Sequence, residues 1–291
     1  KRSALSFASI TRMPGATVNF TGTGLGDSDE NRIFITGQGD GLIGSWATVN
    51  GSTAAYSSTR GVYTPTGLAT VNITALGPSV IPDSIATIAN INDFGTGGGI
   101  VLEAAVTNKT MQIVQNVTTG AVVRTLEGGT NKVLQVAGLT ISEGMSALAI
   151  GDNAGEGYVQ PLSPGGSISV ENMNAAETLT INASVIDNGA ASSLTKSGPG
   201  RLLLAGSNSY SGVTGLYEGE LAFGGSATQS LAGVISGGGS LVMKGTGRLG
   251  LAGANTYTGE TTVTSGTLLV QNSSALGAST AGTVIQSGAT L

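Results

Sequence analysis

The chain lacks the side chains on which most enzyme active sites depend. Its 291 residues include no cysteine, no histidine and a single tryptophan. Without imidazole or thiol groups it can form neither a Ser-His-Asp triad nor a Cys-His pair, and no zinc, copper or haem site of the His/Cys type. Any chemistry is left to carboxylates, Lys, Arg, Tyr and hydroxyl groups.

Charge is also scarce in this sequence. Only 10% of the residues are charged, whereas 40% are hydrophobic, and this balance opposes intrinsic disorder. The 12 Lys and Arg residues form no run longer than Lys1-Arg2 and the formal net charge is −5, so we expect no nucleic-acid partner. No run of 18 or more apolar residues occurs, so we expect no membrane-spanning segment in this chain.

Glycine, in contrast, is abundant, and the sequence repeats itself. The segment Gly200–Phe223 recurs as Gly247–Val270 at an offset of 47 residues, with twelve of the 24 aligned positions identical. Just upstream, KSGPGR aligns with KGTGR only after a slip of one residue, which predicts an insertion near Gly198 and Pro199. A fixed period of this kind is typical of repeat architectures.

Each copy consists of short apolar segments separated by Gly, Asn and Ser. Leu202 and Leu204 alternate with other residues as in half-buried strands, and so do Leu249 and Leu251. Units this short cannot bury their own apolar face, so neighbouring turns must stack on them at roughly 4.8 Å. The sequence therefore predicts an all-β solenoid. Since one turn usually takes about 20 to 30 residues, we expect one repeat to make two turns.

A motif of the form NxYxG occurs in both copies. Its positions are Asn208, Tyr210 and Gly212 in the first copy and Asn255, Tyr257 and Gly259 in the second. The Asn and Tyr side chains could bind carbohydrate, but we favour a structural role. We expect equivalent positions to lie above one another, so that the asparagines form an amide ladder and the tyrosines an aromatic stack.

The segment Leu241–Val270 follows the pattern LxKxGxGxLxLxGxNxYxGxTxVxxGxLxV nearly throughout. It resembles the passenger-associated transport repeat, also called the autotransporter-associated β-strand repeat. The segment Ser274–Leu291 resembles the tail of the same unit, so we expect the chain to stop inside a repeat. The resemblance implies a right-handed parallel β-helix that is secreted to the cell surface.

The two parts of the chain differ in how closely they follow this pattern. We expect residues 1–98 to form an N-terminal β-rich region, as the first coils or as a cap with loop insertions. We expect residues 99–291 to form the β-helix, with repeats at about 193–239 and 240–291.

Parallel β-helices also carry polysaccharide lyases and glycosidases, and glycosidic chemistry needs two carboxylates roughly 5 to 10 Å apart. The local candidates are Asp152 with Glu156 and Glu218 with Glu220. The second copy has Ser265 and Thr267 where the first has the latter pair, so these acids are not a repeat feature. Solvated loop acids explain both pairs, and we predict no catalysis.

A calcium site is the one metal site that the sequence leaves open. Asp27, Asp29 and Asn31 are spaced like the start of an EF-hand loop, but Arg32 and Gln38 stand where Gly and Glu are required. We therefore predict no metal and no cofactor.

The main hypothesis is a non-enzymatic structural or adhesive β-helix, extracellular or on the bacterial cell surface. An alternative is a subunit of an extracellular fibre that stacks head-to-tail, because an uncapped solenoid end exposes unpaired backbone groups. A β-helix polysaccharide lyase or glycosidase is the third. The expected partners are further repeats, a second copy of the chain, or surface glycans.

Overall fold

The computed structural model describes residues 3–10, 18–26, 31–36, 38, 41–42, 47–50, 52–63, 70–72, 79–83, 87–89, 91, 100–280 and 282–291. These residues form strands, turns and bends, with no helix among them. A membrane-spanning helix is accordingly absent from the described ranges. The chain separates into two compact units, Lys1–Leu68 and Ala69–Leu291.

The first unit combines parallel and antiparallel pairs of short strands. Its strands are β1 (Ser3–Phe7), β2 (Val18–Phe20), β3 (Asn31–Ile35), β4 (Gly41–Leu42), β5 (Ala47–Val49), β6 (Ser52–Thr53), β7 (Ala55–Ser57) and β8 (Gly61–Tyr63). Strands β1 and β3 pair in parallel, β5 joins β2 in parallel and β6 in antiparallel, and β7 joins β4 and β8 in antiparallel. Its core consists of Phe20, Leu25, Ile35, Ala47, Val49, Ala54, Tyr56 and Val62.

The second unit contains the remaining strands of the described chain. They are β9 (Thr70–Asn72), β10 (Ser79–Ile81), β11 (Thr87–Ala89), β12 (Ile100–Leu102), β13 (Thr107–Gln115), β14 (Ala121–Arg124), β15 (Leu126–Glu127), β16 (Thr130–Asn131), β17 (Val133–Ile141), β18 (Leu148–Ile150), β19 (Tyr158–Gln160), β20 (Ser167–Asn172), β21 (Thr178–Ile181), β22 (Ser184–Val185), β23 (Ser193–Ser197), β24 (Arg201–Leu204), β25 (Thr214–Leu216), β26 (Glu220–Phe223), β27 (Thr228–Leu231), β28 (Ile235–Ser236), β29 (Ser240–Met243), β30 (Arg248–Leu251), β31 (Thr261–Val263), β32 (Thr267–Val270) and β33 (Thr283–Ile285).

These strands form three faces of a coil, each built by parallel pairing of successive turns. Face 1 is the sheet β10-β12-β14-β18-β21-β24-β26-β29-β31-β33. From β19 onward, face 2 contains β19 and β22 and then the sheet β27-β30-β32, and face 3 contains β20, β23, β25 and β28. The long strand β17 pairs with both β19 and β20, so it runs along both faces. The one antiparallel pair among the described strands of this unit is the β15–β16 hairpin.

The interior of the coil is a continuous column of apolar side chains. On face 1, Leu202 pairs with Leu221 and Leu221 with Leu241, and all three are fully buried. The spacing between these partners is 19 and 20 residues, whereas Leu148 and Leu179 further upstream lie 31 apart because the loops there are longer. Each turn therefore buries its apolar face on the next one, as the alternating pattern predicts.

The all-β, right-handed parallel β-helix expected from the sequence is confirmed, since parallel crossover connections in one sheet are right-handed. The N-terminal region expected over residues 1–98, as the first coils or as a cap, includes some of the stacked coils. Strand β9 pairs with β11, and β11 pairs with β13, so the stacked coils already include residues 70–89. The compact unit that contains them begins at Ala69.

Candidate functional site

The asparagine of each NxYxG motif lies inside the coil. Its side chain supplies a hydrogen bond that a paired strand would otherwise make to the preceding turn. Asn208 and Asn255 are both buried. The backbone N–H of Val185 donates to the Asn208 Oδ1 at 2.9 Å, and that of Ile235 donates to the Asn255 Oδ1 at 2.8 Å. Each side chain thus satisfies a backbone donor of the preceding turn at a point where no strand continues the sheet.

The tyrosine of each motif is also interior, and its hydroxyl has a fixed partner. Tyr210 Oη lies 2.9 Å from Thr214 Oγ1, and Tyr257 Oη lies 2.6 Å from Thr261 Oγ1. Burial raises the pKa of Tyr210 to about 12 and also raises the pKa of Tyr257. The threonines are identical in the two copies, and no role was predicted for them from the sequence. Their identity in the alignment of the two copies is the feature that could have indicated a structural role.

The glycine of each motif is required by the approach of the neighbouring turn. A Cβ placed on Gly212 would lie 2.4 Å from the Ser192 carbonyl oxygen, and one on Gly259 would lie 2.2 Å from the Gly239 carbonyl oxygen. No side chain larger than hydrogen fits between two backbones at that distance. The six motif positions therefore take part in packing within and between turns.

Equivalent motif positions do not lie above one another, so the expected amide ladder and aromatic stack are wrong. Asn208 lies on face 2, where its Nδ2 donates to Gln229 Oε1 of β27 at 2.8 Å. Asn255 lies on face 3, where Thr256 N donates to the Ile235 carbonyl at 2.9 Å and the Asn255 Nδ2 donates to the next turn. The two copies occupy different faces.

The reason is the length of a turn. In this region one turn takes 19 to 22 residues, so an offset of 47 residues corresponds to two turns and about one further face. Accordingly, β24 of the first copy belongs to face 1, whereas the equivalent strand β30 belongs to face 2. The expectation of two whole turns per repeat is therefore wrong, and successive copies are rotated by a third of a turn.

The predicted insertion near Gly198 and Pro199 is also wrong. Without any slip, Lys196 of β23 is equivalent to Met243 of β29, and both side chains are buried. A Cβ on Gly219 would lie 2.5 Å from the Gly200 carbonyl oxygen, and a Cβ on its equivalent Gly266 would meet the corresponding Gly247 oxygen at 2.6 Å. The alignment of Lys196 with Lys244 followed residue type and missed the register.

Lys196 is a fully buried cation, and sequence reasoning gave it no role. Its Nζ donates to the carbonyls of Ser197 at 2.8 Å, Gly198 at 2.7 Å and Glu218 at 3.2 Å. Burial lowers the pKa of Lys196 to about 8, and the charges of Glu218 and Glu171 oppose that shift. The ammonium group therefore satisfies the carbonyls of the corner that leads from β23 to β24.

In the second copy, the carbonyls of the equivalent corner accept hydrogen bonds from a different residue, which lies on the outer side of the coil. There, Met243 is apolar, and the Ser265 hydroxyl donates to the carbonyls of Lys244 at 2.7 Å and Gly245 at 3.1 Å. Ser265 is equivalent to Glu218 of the first copy. The pair Lys-and-Glu in one copy is thus replaced by the pair Met-and-Ser in the other.

The first pair of candidate catalytic acids is engaged in local contacts. Asp152 accepts a hydrogen bond from Arg124 Nε at 2.8 Å. Glu156 accepts hydrogen bonds from the backbone N–H and the Nδ2 of Asn153, at 3.1 and 3.0 Å. Both acids have the role of loop-stabilising side chains.

The two acids of the second pair differ in their contacts. Glu220 is bound by the Arg201 guanidinium, whose Nη2 lies 3.2 Å from Oε2. The backbone carbonyl of Glu218 accepts from the buried Lys196. Residues 27–30 of the candidate calcium loop lie outside the described residues. Within the described ranges, no group of three acids could hold a metal ion.

Comparison with known families shows what the two copies are similar to. The model of the Passenger-associated-transport-repeat matches residues 194–223 and residues 241–270. Two segments of the chain are thus similar to this repeat. The two matches are in the 47-residue register, which agrees with the equivalence of Lys196 and Met243. They cover 60 of the 291 residues. No curated protein and no solved structure matches the chain.

The close approach at the motif glycine gives a direct test of the repeat frame. Gly212→Ala should lower the free energy of unfolding by at least about 2 kcal/mol, because the added Cβ forces two packed turns apart. Gly120→Ala is the matched control, since its Cβ would lie at an ordinary 3.7 Å from the Ala147 carbonyl oxygen. Urea denaturation measures both variants. Equal destabilisation of the two would show that the contact at Gly212 is not limiting.

The corner carbonyls give a second test, through a swap of one copy's solution for the other's. Lys196→Met alone should cost about 1–3 kcal/mol at pH 7, because two buried carbonyls lose their donor. Adding Glu218→Ser should restore much of that loss, as Ser265 does beside Met243. If the single variant is as stable as the double variant in urea denaturation, donation to these carbonyls is unimportant.

The same double variant also isolates the pH dependence of Lys196. Its pKa is about 8 in the folded state against an ordinary 10.5, so between these values the unfolded chain holds a proton that the folded chain has released. Stability of the wild type therefore rises with pH across that window, and the full deficit is present below pH 8. The wild type should gain stability relative to the double variant between pH 8 and 10.5. A constant difference would contradict the desolvation of Lys196.

Proposed function

We propose that this chain is a non-catalytic, extracellular segment of an autotransporter-type passenger with a structural or adhesive role. The observation that supports this proposal is the structural role of the positions that the two copies share. The positions that the two copies share build the interior of the coil, as the hydrogen bonds of Asn208, Asn255, Tyr210 and Tyr257 illustrate. Matching of two segments to a passenger-associated repeat supports the extracellular placement.

A non-catalytic role is supported by what the acidic side chains do. Asp152 and Glu220 are each paired with an arginine, and Glu156 is held by its own loop. These three carboxylates therefore stabilise local structure, which favours a non-catalytic role.

Placement on the outside of the cell is testable with an antiserum raised against the purified chain. We expect intact, unpermeabilised source cells to be labelled, and the label to be lost after brief treatment of the cells with an external protease. A cytoplasmic enzyme probed in parallel should survive the protease, which controls for cell lysis. Labelling that appears only after permeabilisation would contradict the proposal.

A self-assembling fibre is the second candidate function, and the edge of face 1 favours it. Strand β33 pairs with β31, and among the described strands none pairs with its other side. Its side chains are exposed, including Val284 at 43% and Ile285 at 39%. We propose that this edge pairs with a further coil, supplied by more of the same polypeptide or by a second copy of the chain.

Negative-stain electron microscopy of the purified chain separates these two sources of the further coil. A fibre subunit should form uniform filaments, and a charge at the edge, as in Val284→Lys, should reduce them strongly. Val213→Lys, at an exposed site away from β33, should leave filaments unchanged. Isolated particles at all concentrations would remove the fibre and leave pairing within one polypeptide.

A further inference from the structure

Two exposed side chains, Val213 and Tyr217, flank β25 on the outer surface of the coil. Thr214 and Leu216 point into the coil and are buried, so the alternating Val213, Gly215 and Tyr217 face outward. Val213 is 56% exposed and Tyr217 is 52% exposed. Large apolar side chains at this exposure on a solvated sheet contribute little to folding.

The Tyr217 ring lies against the sheet and does not project from it. A Cβ placed on Gly215 would lie 3.0 Å from Tyr217 Cε2, 3.1 Å from Cζ and 3.3 Å from Oη. Because Gly215 has no side chain, one face of the ring packs on the Gly215 backbone. The opposite face of the ring is exposed to solvent, and we call it the aromatic platform.

A column of hydroxyl groups runs past this platform along the coil. Ser169 pairs with Thr195, Thr195 with Gly215, and Gly215 with Ser236. These three hydroxyl-bearing side chains are half-buried, and within the described part of the chain none of them makes a side-chain hydrogen bond. The Ser265 hydroxyl, in contrast, donates to a backbone carbonyl at a corner. The column therefore keeps its donors and acceptors for solvent or a ligand.

The repeat itself does not require this surface. In the second copy, the residues equivalent to Val213, Gly215 and Tyr217 are Glu260, Thr262 and Thr264. There Thr262 donates to Glu260 at 3.0 Å, and Thr264 donates to the Met243 carbonyl at 3.1 Å. The same backbone thus tolerates a self-satisfied polar surface. The aromatic platform is particular to the first copy.

The charge around the platform favours a neutral ligand. Lys196, on the strand next to β25, points inward and its ammonium group is bound by three carbonyls. Glu218, the neighbour of Tyr217, is acidic, and the whole chain has a formal net charge of −5. A polyanion would meet no exposed cation beside Tyr217 on β23 or β25.

We propose that the surface formed by Tyr217, Val213, Thr195 and Ser236 binds a neutral saccharide chain. One face of a pyranose ring presents C–H groups that pack on an aromatic face, while the hydroxyls at its edge exchange hydrogen bonds with side chains such as Thr195 and Ser236. The turns stack at roughly 4.8 Å, so the hydroxyl column offers repeated contacts along an extended glycan. This inference rests on the adhesive form of the proposed function and names its ligand.

Affinity electrophoresis of the purified chain tests the proposal. The probes are soluble neutral glucan, mannan and galactan, with polygalacturonate as the acidic comparison. We expect the wild type to be retarded by at least one neutral polymer. Tyr217→Thr, which copies the second repeat, should weaken that binding at least tenfold, and Tyr217→Phe should keep it within a few-fold. Tyr158→Thr is the matched control, because Tyr158 is 36% exposed on face 2.

Several outcomes would overturn the inference. They are no retardation by any neutral polymer, equal binding by Tyr217→Thr, equal loss in Tyr158→Thr, and preference for polygalacturonate. Concentration-dependent self-association in sedimentation velocity that Tyr217→Thr abolishes, without saccharide binding, would assign the surface to a protein contact. Antibody labelling of intact cells is independent of all these results, so failure of saccharide binding leaves the extracellular placement standing.

Discussion

The structure depends on the distance between stacked turns. Parallel strands pair at about 4.8 Å, and at the corners the backbones meet with no room for a side chain. Gly212 and Gly259 are the plainest cases, since a Cβ on either would lie within about 2.5 Å of the preceding turn's carbonyl oxygen. Once turns are that close, every corner N–H and C=O must find a partner inside the stack. The motif asparagines meet that demand where strands are missing.

Because the repeat has 47 residues and one turn has about 20, equivalent residues of the two copies lie on different faces of the coil. Each copy begins one face further round than the copy before it, so the repeat works on any face. It can do so because its internal bonds are local or reach only the adjacent turn, as the Tyr210–Thr214 and Tyr257–Thr261 pairs show. Outward positions of equivalent strands therefore point in different directions, and each can carry its own chemistry.

The sequence predicted the fold well because the fold follows from a period and from alternation. Leu202 alternates with Leu204, and both proved to be buried in the parallel β-helix. The motif asparagines and tyrosines are buried, but they do not stack as the sequence led us to expect. Stacking depends on the remainder when the repeat length is divided by the turn length. The turn length depends on loops such as those between Leu148 and Leu179, and no local pattern specifies them.

The candidate surface was beyond sequence reasoning for a related reason. In the sequence, Gly215 and Tyr217 look like residues of an ordinary strand. They are distinguished only in the structure, by their outward direction, by the contact between them and by the neighbouring hydroxyls without side-chain partners. Comparison of the two copies after folding supplies the missing reference, because Thr264 shows what the same position looks like when it has no such exposure.

The corner beside β23 shows how a repeat can change its residues and keep its geometry. The carbonyls there need donors, and the first copy supplies them from inside with Lys196 at the cost of desolvating a cation. The second copy supplies them from outside with Ser265 and fills the interior with Met243. The two exchanges offset one another, because Met in place of Lys leaves carbonyls without a donor and Ser in place of Glu supplies one. Two positions that look unrelated in the alignment are therefore a single solution to one constraint, the satisfaction of backbone carbonyls between stacked turns.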